Sequence, residues 1–421
     1  MTYEEFVMSK VRRLGDAGFD AGELPSFLFD FQRHIVTKAL KRGRYAIFAE
    51  CGLGKTPMQL VWADAVMRHT GKPVLILTPL AVAAQTKREG DKFGIPVHFS
   101  RDGEIRGITV TNYEHIHKFH AGGLGGIVLD ESSILKNFNG KMRKDLSAFA
   151  SLVQYRLSAT ATPAPNDFVE FGTQAEFLGV GTHTEMLSTY FVHDGGDTSK
   201  WRLKRHAIKD FKRWMGEWSI TLDHPKDIGY DVEGFTLPEL VETEIHASSS
   251  AESGFLFEQV AISLNDQRQQ KKRHIEGIAE AVCDIALSNR EQYIVWVDNN
   301  YEADAIKSLI PDAVEIRGSD DADLKARRMI EFSDGLIRVL VTKPSIAGFG
   351  MNWQQCHNMI FSSVGHSYEQ RYQAVRRCYR FGQKKPVNVY TIRYAGDDAI
   401  SVNYKRKDTN AKSIKQTEVT Q

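Results

Sequence analysis

The eight residues Ala49–Thr56, AECGLGKT, constrain this chain more than any others. They follow an apolar run, Tyr45–Phe48, and precede a helix-compatible stretch. A strand that breaks into a Gly-rich turn ending in Gly-Lys-Thr is a phosphate-binding loop. Gly52 and Gly54 let the backbone curl so that its N–H groups point at phosphate oxygens. Lys55 adds a point charge, Thr56 offers a hydroxyl to Mg²⁺, and the helix beginning near Thr56 aims its positive end at the same anion. Such a loop needs a parallel α/β sheet behind it.

The rest of the chain supplies one. After the loop, short apolar runs recur at α/β spacing at Val74–Thr78, Ile108–Thr111, Gly126–Leu129 and Tyr155–Ser158. A second series follows at Tyr293–Val297, Val314–Ile316, Arg338–Thr342, Met359–Ser362 and Val387–Tyr394, without a phosphate loop of its own. Alternation of this kind predicts parallel sheets with helices on both faces and ligands at the carboxyl ends of the strands. A length of 421 residues is too great for one ordinary core, so two or three domains are expected. The fold class is therefore α/β.

Gly126–Glu131, GIVLDE, delivers two adjacent carboxylates to a strand end. Asp130 is placed to hold Mg²⁺ and Glu131 to orient or deprotonate an attacking water. Gln32, upstream of the loop, carries an amide able to read adenine with both a donor and an acceptor. Arg377 and Arg380 stand at i and i+3, so on a helix they share one face, as a pair of arginine fingers would. Leu157–Pro163 ends a strand in small hydroxyl residues, Thr160 and Thr162 among them, suited to relay between a nucleotide and a second site.

Between the two series the rhythm stops. Thr198–Trp218 is helix-compatible and basic, with Lys200, Arg202, Lys204, Arg205, Lys209, Lys212 and Arg213 interleaved with Trp201, Phe211, Trp214 and Trp218. Two readings are open: contact with phosphates and bases, or an amphipathic helix burying its Trp face. The net charge of +1 places any basic surface locally. Cys51, Cys283, Cys356 and Cys378 have neither C-x-x-C spacing nor a nearby His pair, which argues against zinc and a disulfide framework. The polar, acidic start MTYEEFVMSK and the lack of an apolar run of about 18 residues point to an intracellular, cytoplasmic chain with no membrane partner.

Taken in order, these motifs resemble the superfamily 2 helicase core, and most closely the Swi/Snf-related DNA translocase ATPases of compact bacterial or phage type. Gln32 matches the family's adenine-reading Gln, AECGLGKT its motif I, and Thr78-Pro79 its motif Ia. Thr111–Glu114 is similar to T-T-Y-E, Asp130–Asn137 to D-E-x-H-x-x-K-N, and Thr160–Pro163 with Asn166 to T-G-T-P-x-x-N. Gly348–Asn352 resembles G-L-G-I-N, and Gln373–Gln383 resembles Q-x-x-G-R-x-x-R-x-G-Q. Ser133, Ala161 and Arg376 depart from the pattern.

The resemblance implies two RecA-like parallel-sheet lobes in tandem, 25–180 and 276–400, with a helical insertion over 181–275, an extension over 1–24 and a basic polar tail over 401–421. It implies ATP and Mg²⁺ as cofactors and nucleotide contacts at Gln32, Gly52, Leu53, Gly54, Lys55, Thr56, Gly350, Asn352 and Gln373. Lys55, Asp130, Glu131, Arg377 and Arg380 would be catalytic, with the metal at Thr56 and Asp130. Nucleic acid would meet Thr78, Pro79, Thr111, Lys136, Asn137, Thr160 and Thr162. The partner is DNA, duplex favoured and without sequence preference, with a protein loader or nuclease as a further partner. The alternative is an ATP-gated binding or nuclease-partner subunit that does not translocate.

Overall fold

A computed structural model describes residues 16–79, 82–136, 140–165, 167–194, 197–247, 271–272, 274–347, 351–363 and 367–394. The chain divides into two compact units, the first running to Val232 and the second starting at Glu233.

The first unit opens with helix α1 (Asp30–Arg42), which leads through Gly43 into β1 (Arg44–Ala49). The phosphate-loop sequence follows, then α2 (Lys55–Thr70), β2 (Val74–Thr78), α3 (Ala83–Phe93), β3 (Val97–Phe99), β4 (Ile108–Asn112) and β5 (Gly126–Asp130). After α4 (Lys141–Ser151) come β6 (Tyr155–Thr160), α5 (Phe171–Leu178) and α6 (His183–Tyr190). A two-stranded antiparallel hairpin, β7 (Phe191–Asp194) and β8 (Asp197–Leu203), precedes α7 (Ile208–Trp218) and β9 (Ser219–Leu222).

Seven of these strands form one sheet in the order β3-β4-β2-β5-β6-β1-β9, and every pairing is parallel. β1 and β2, successive in the chain, are separated by β6 and β5, so the loop after β1 sits where the strand order jumps. Open α/β sheets bind ligands at such a switch point.

The second unit contains β10 (Leu240–His246), α8 (Ile275–Leu287), β11 (Tyr293–Trp296), α9 (Asn300–Leu309) and β12 (Ala313–Ile316). It continues with α10 (Ala322–Ser333), β13 (Val339–Thr342), α11 (Pro344–Ala347), β14 (Asn358–Phe361), α12 (Tyr368–Val375) and β15 (Val387–Arg393). Its six strands run parallel in the order β10-β15-β14-β11-β13-β12. Ile294 and Trp296 belong to one apolar cluster, Tyr293 and Val295 to another. Side chains alternate between strand faces, so this sheet is covered on both, as an all-parallel sheet must be. The two parallel sheets expected from the sequence are present.

The stretch 181–275 differs from its expected form as a separate helical insertion. Its described part is divided: β9 pairs with β1 and completes the first sheet, while β10 pairs with β15 and edges the second. The segment read as one basic helix is a strand followed by a helix, β8 and α7. Phe211, Trp214 and Trp218 are buried in the first unit's core, and Trp201 packs against it. Phe211, Trp214 and Trp218 are thus core, which decides between the two readings of that segment for these three. The extension 1–24 is described only from Asp16, and the tail 401–421 lies outside the described residues. Among the described residues no helix is long and apolar enough to cross a membrane.

Candidate nucleotide site

Gly52 (φ 92°) and Gly54 (φ 79°) both adopt left-handed backbone conformations that side-chain-bearing residues rarely take. Gly54 is also the N-cap of α2, so the chain turns from β1 into the helix on these two residues. Lys55 folds back over the loop, its Nζ donating to the carbonyls of Ala49 at 2.9 Å and Glu50 at 3.4 Å. Thr56 follows in the first turn of the helix.

Gln32 is tied to the same loop. Its Nε2 donates to the Leu53 carbonyl at 2.9 Å, and its Oε1 accepts from the Phe29 N–H at 3.1 Å. Each amide group retains a second hydrogen-bonding position, one donor and one acceptor, as an adenine edge requires. A Cβ on Gly54 would lie 2.3 Å from Gln32 Nε2, so the glycine is needed for this approach as well as for its φ.

Asp130 ends β5 and is buried. Its Oδ1 accepts from Gln59 Nε2 at 2.7 Å, and its backbone carbonyl accepts from Tyr113 Oη at 2.6 Å. Burial pushes the Asp130 carboxyl above its ordinary range, outweighing the Gln59 hydrogen bond and the Lys55 charge that favour the anion. A buried carboxylate so weakly compensated, on the edge that carries a phosphate loop, fits a divalent cation.

Glu131 has φ 54°, alone among the described non-glycine residues in being positive. An L-residue held there costs roughly 1–2 kcal/mol, and such strain concentrates at functional sites. Thr160 Oγ1, at the end of β6, donates to Glu131 Oε2 at 3.3 Å and accepts from the Thr162 N–H at 3.1 Å. Thr160 therefore supports Glu131, and the Thr162 backbone holds Thr160.

Of the other residues expected to meet nucleic acid, Thr78 and Thr111 are sealed at the ends of β2 and β4. Thr78 Oγ1 donates to the Pro79 carbonyl at 3.1 Å. Lys136 is exposed, and Asn137 lies outside the described residues, as does Asn166.

In the second unit the arginine pair departs from its expected helix. α12 ends at Val375, and Arg377 and Arg380 lie in the turns that follow. Arg377 is buried, donating from Nε to the Gln373 carbonyl (2.9 Å), from Nη2 to Gln373 Oε1 (2.9 Å) and from Nη1 to the Met351 carbonyl (3.2 Å). Arg380 is half-buried, with Nη1 3.5 Å from the same Met351 carbonyl. Both thus brace the chain beside Asn352, while Gly350 lies outside the described residues. Arg376 stacks on Tyr379 and Tyr372, with its guanidinium 5.3 and 5.9 Å from the ring centres.

Two residues of the site were not singled out from the sequence, Gln59 and Tyr113. Gln59 carried a usable signal: four residues beyond Lys55, it lies on the same face of any helix starting there. Tyr113 had no such mark beyond its place in the Thr111–Glu114 stretch.

No family model matches the chain. It is 23% identical over 427 residues to "Putative protein p41" of Acyrthosiphon pisum secondary endosymbiont phage 1, covering 86% of this chain and 92% of that one. It is 33% identical over 78 residues to the bifunctional helicase and thymine dioxygenase JBP2 of Leishmania braziliensis, a match covering 18% of this chain and 7% of that protein. Among solved structures it is similar to the Sulfolobus solfataricus SWI2/SNF2 ATPase core in complex with dsDNA, at 17% identity and a TM-score of 0.43, covering 96% of each chain.

Proposed function

We propose that this chain is a DNA-stimulated ATP hydrolase of the helicase and translocase type, moving along duplex DNA without sequence preference. The observation that carries the reading is the Gln59–Asp130 hydrogen bond, which fastens the helix bearing Lys55 and Thr56 to the carboxylate strand. A phosphate loop and an acidic strand end joined in this way form the two halves of an Mg²⁺-nucleotide site. The order of the sequence motifs supports the DNA translocase class, and so does the short match to a protein named as a helicase.

In this reading Gln32 reads adenine, and the amides of Gly52–Gly54 with Lys55 hold the phosphates. Thr56 and Asp130 hold Mg²⁺, which supplies charge neutralisation at the transferred phosphoryl group. Glu131 orients the attacking water, with Thr160 fixing its carboxylate. Arg380 of the second unit acts as the arginine finger, and Arg377 holds the turn that presents it. Asn352 and Gln373 belong to that turn's support. Nucleic acid meets the protein through its backbone, at Pro79 and Lys136 among other residues, which implies strong salt dependence.

The test is the steady-state ATPase rate with no nucleic acid, duplex DNA, single-stranded DNA and RNA, for wild type and Glu131→Gln. Duplex DNA should stimulate the wild type most, and Glu131→Gln should bind ATP while turnover falls by about 10²–10⁴-fold. Near-normal turnover in that variant would remove Glu131 from its role. Stimulation by RNA alone, or by no nucleic acid, would overturn the DNA translocase reading.

A further inference from the structure

Between Trp201 and Trp218 six lysines and arginines stand against two carboxylates, in a chain whose net charge is only +1. α7 explains half of this segment. Phe211, Trp214, Met215 and Trp218 form its buried stripe, so the opposite face carries Lys209 and Arg213, one turn apart and both exposed. Arg202 on β8 and Arg205 and His206 just before α7 are exposed too. Lys204 is half-buried, and its Nζ donates to the carbonyls of Ser188 and Thr189 at 3.2 and 3.0 Å, fastening this segment to the end of α6. Arg213 pairs with Asp210 at 2.6 Å.

Topology fixes where the start of α7 lies. α7 ends where β9 begins and packs on β1 and β9, so its first turn lies toward the carboxyl edge of the first sheet. That edge also carries the phosphate loop after β1 and the Asp130–Glu131 pair after β5. Core packing holds Phe211, Trp214 and Trp218, so what α7 leaves outside is cations on a rigid support.

We infer that Arg202, Arg205 and Lys209 form a contact surface for the phosphate backbone of duplex DNA on the first unit, separate from the strand-end residues the sequence motifs mark. This rests on the DNA reading above. Such a surface adds affinity and salt dependence without reading sequence.

The test uses the full chain and a short fluorescein-labelled duplex DNA of mixed sequence, with anisotropy measured from about 50 to about 200 mM potassium chloride. The triple variant Arg202→Ala/Arg205→Ala/Lys209→Ala is compared with Lys41→Ala/Arg68→Ala/Lys72→Ala. The second variant removes the same charge from exposed residues at the amino edge of the same sheet. All six side chains are exposed, so both variants should melt as the wild type does. The first should lower the slope of log affinity against log salt by about 2–3, near one per lost phosphate contact, and the second by less than about one. Equal losses would mean net charge alone matters and would overturn the surface. A first variant binding like wild type would overturn it too, leaving the DNA reading intact. A wild type with no salt-dependent DNA binding would overturn both.

Discussion

Gly54→Ala isolates the contact that joins Gln32 to the phosphate loop. Gly54 and Gly71 cap opposite ends of α2, both in the left-handed region, at φ 79° and 66°. They differ in surroundings: a Cβ on Gly71 meets nothing within 4 Å, whereas one on Gly54 meets Gln32 Nε2 at 2.3 Å. Alanine at either position pays about 1–2 kcal/mol for its backbone conformation. At Gly54 the Gln32 amide must also swing away. It then releases the buried Leu53 carbonyl, a loss of about 1–3 kcal/mol more. Calorimetric melting should therefore show Gly54→Ala below Gly71→Ala, by about 2–4 °C for each additional kcal/mol, in the transition of the first unit. Adding Gln32→Ala removes the obstacle, so Gly54→Ala/Gln32→Ala should cost less than the sum of its parts by about 1 kcal/mol. Equal melting shifts for the two glycine variants, or strict additivity in the double variant, would refute the argument that Gly54 is reserved for Gln32.

The remaining predictions concern the two charged ends of the chemistry. Asp130's carboxyl is raised in the folded chain, so the stability it contributes is full below the ordinary Asp range and lost as pH rises through the raised value. At neutral pH without metal the buried anion is a net cost. Asp130→Asn should then melt at or above wild type in EDTA at pH 7, with the gap closing on acidification, while hydrolysis is abolished. Melting below wild type at pH 7 would show that the buried charge is better compensated than the geometry indicates. In the second unit, Arg377→Ala strands the acceptors at Gln373 and Met351 and should destabilise by about 2–4 kcal/mol in chemical unfolding. Arg380→Ala should change stability by less than about 1 kcal/mol yet lose about 10³–10⁵ in DNA-stimulated turnover. A reversed pattern would exchange their roles.

The sequence announced its sheets well because parallel strands are buried on both faces and read as unbroken apolar runs. Ten runs located ten strands, with ends misplaced by no more than a residue or two. Three of the four edge strands, β3, β9 and β10, gave no such signal, while the fourth, β12, did. β3 has 3 residues, β9 has 4, and β10 reads Leu-Val-Glu-Thr-Glu-Ile-His with its glutamates exposed. That is why 181–275 read as an insertion when two of its strands, β9 and β10, finish the two large sheets.

The local geometry of the candidate nucleotide site was legible for the same reason, and its longer-range contacts were not. Gly52, Gly54 and Lys55 declare themselves because the turn and the phosphate chemistry are written in consecutive residues. Gln59 and Tyr113 serve Asp130 from 71 and 17 residues away, and sequence spacing carries no record of that pairing. The arginines show the limit most sharply. An i, i+3 pair shares a face only while the helix continues, and α12 stops at Val375. Two residues alike in type and motif are then separated by burial alone. Arg377 spends its guanidinium on Gln373 and Met351 inside the unit, and Arg380, also near Met351, is only half-buried. A motif therefore names the candidates for an arginine finger, and the turn that carries them treats the two differently, burying Arg377 more deeply than Arg380.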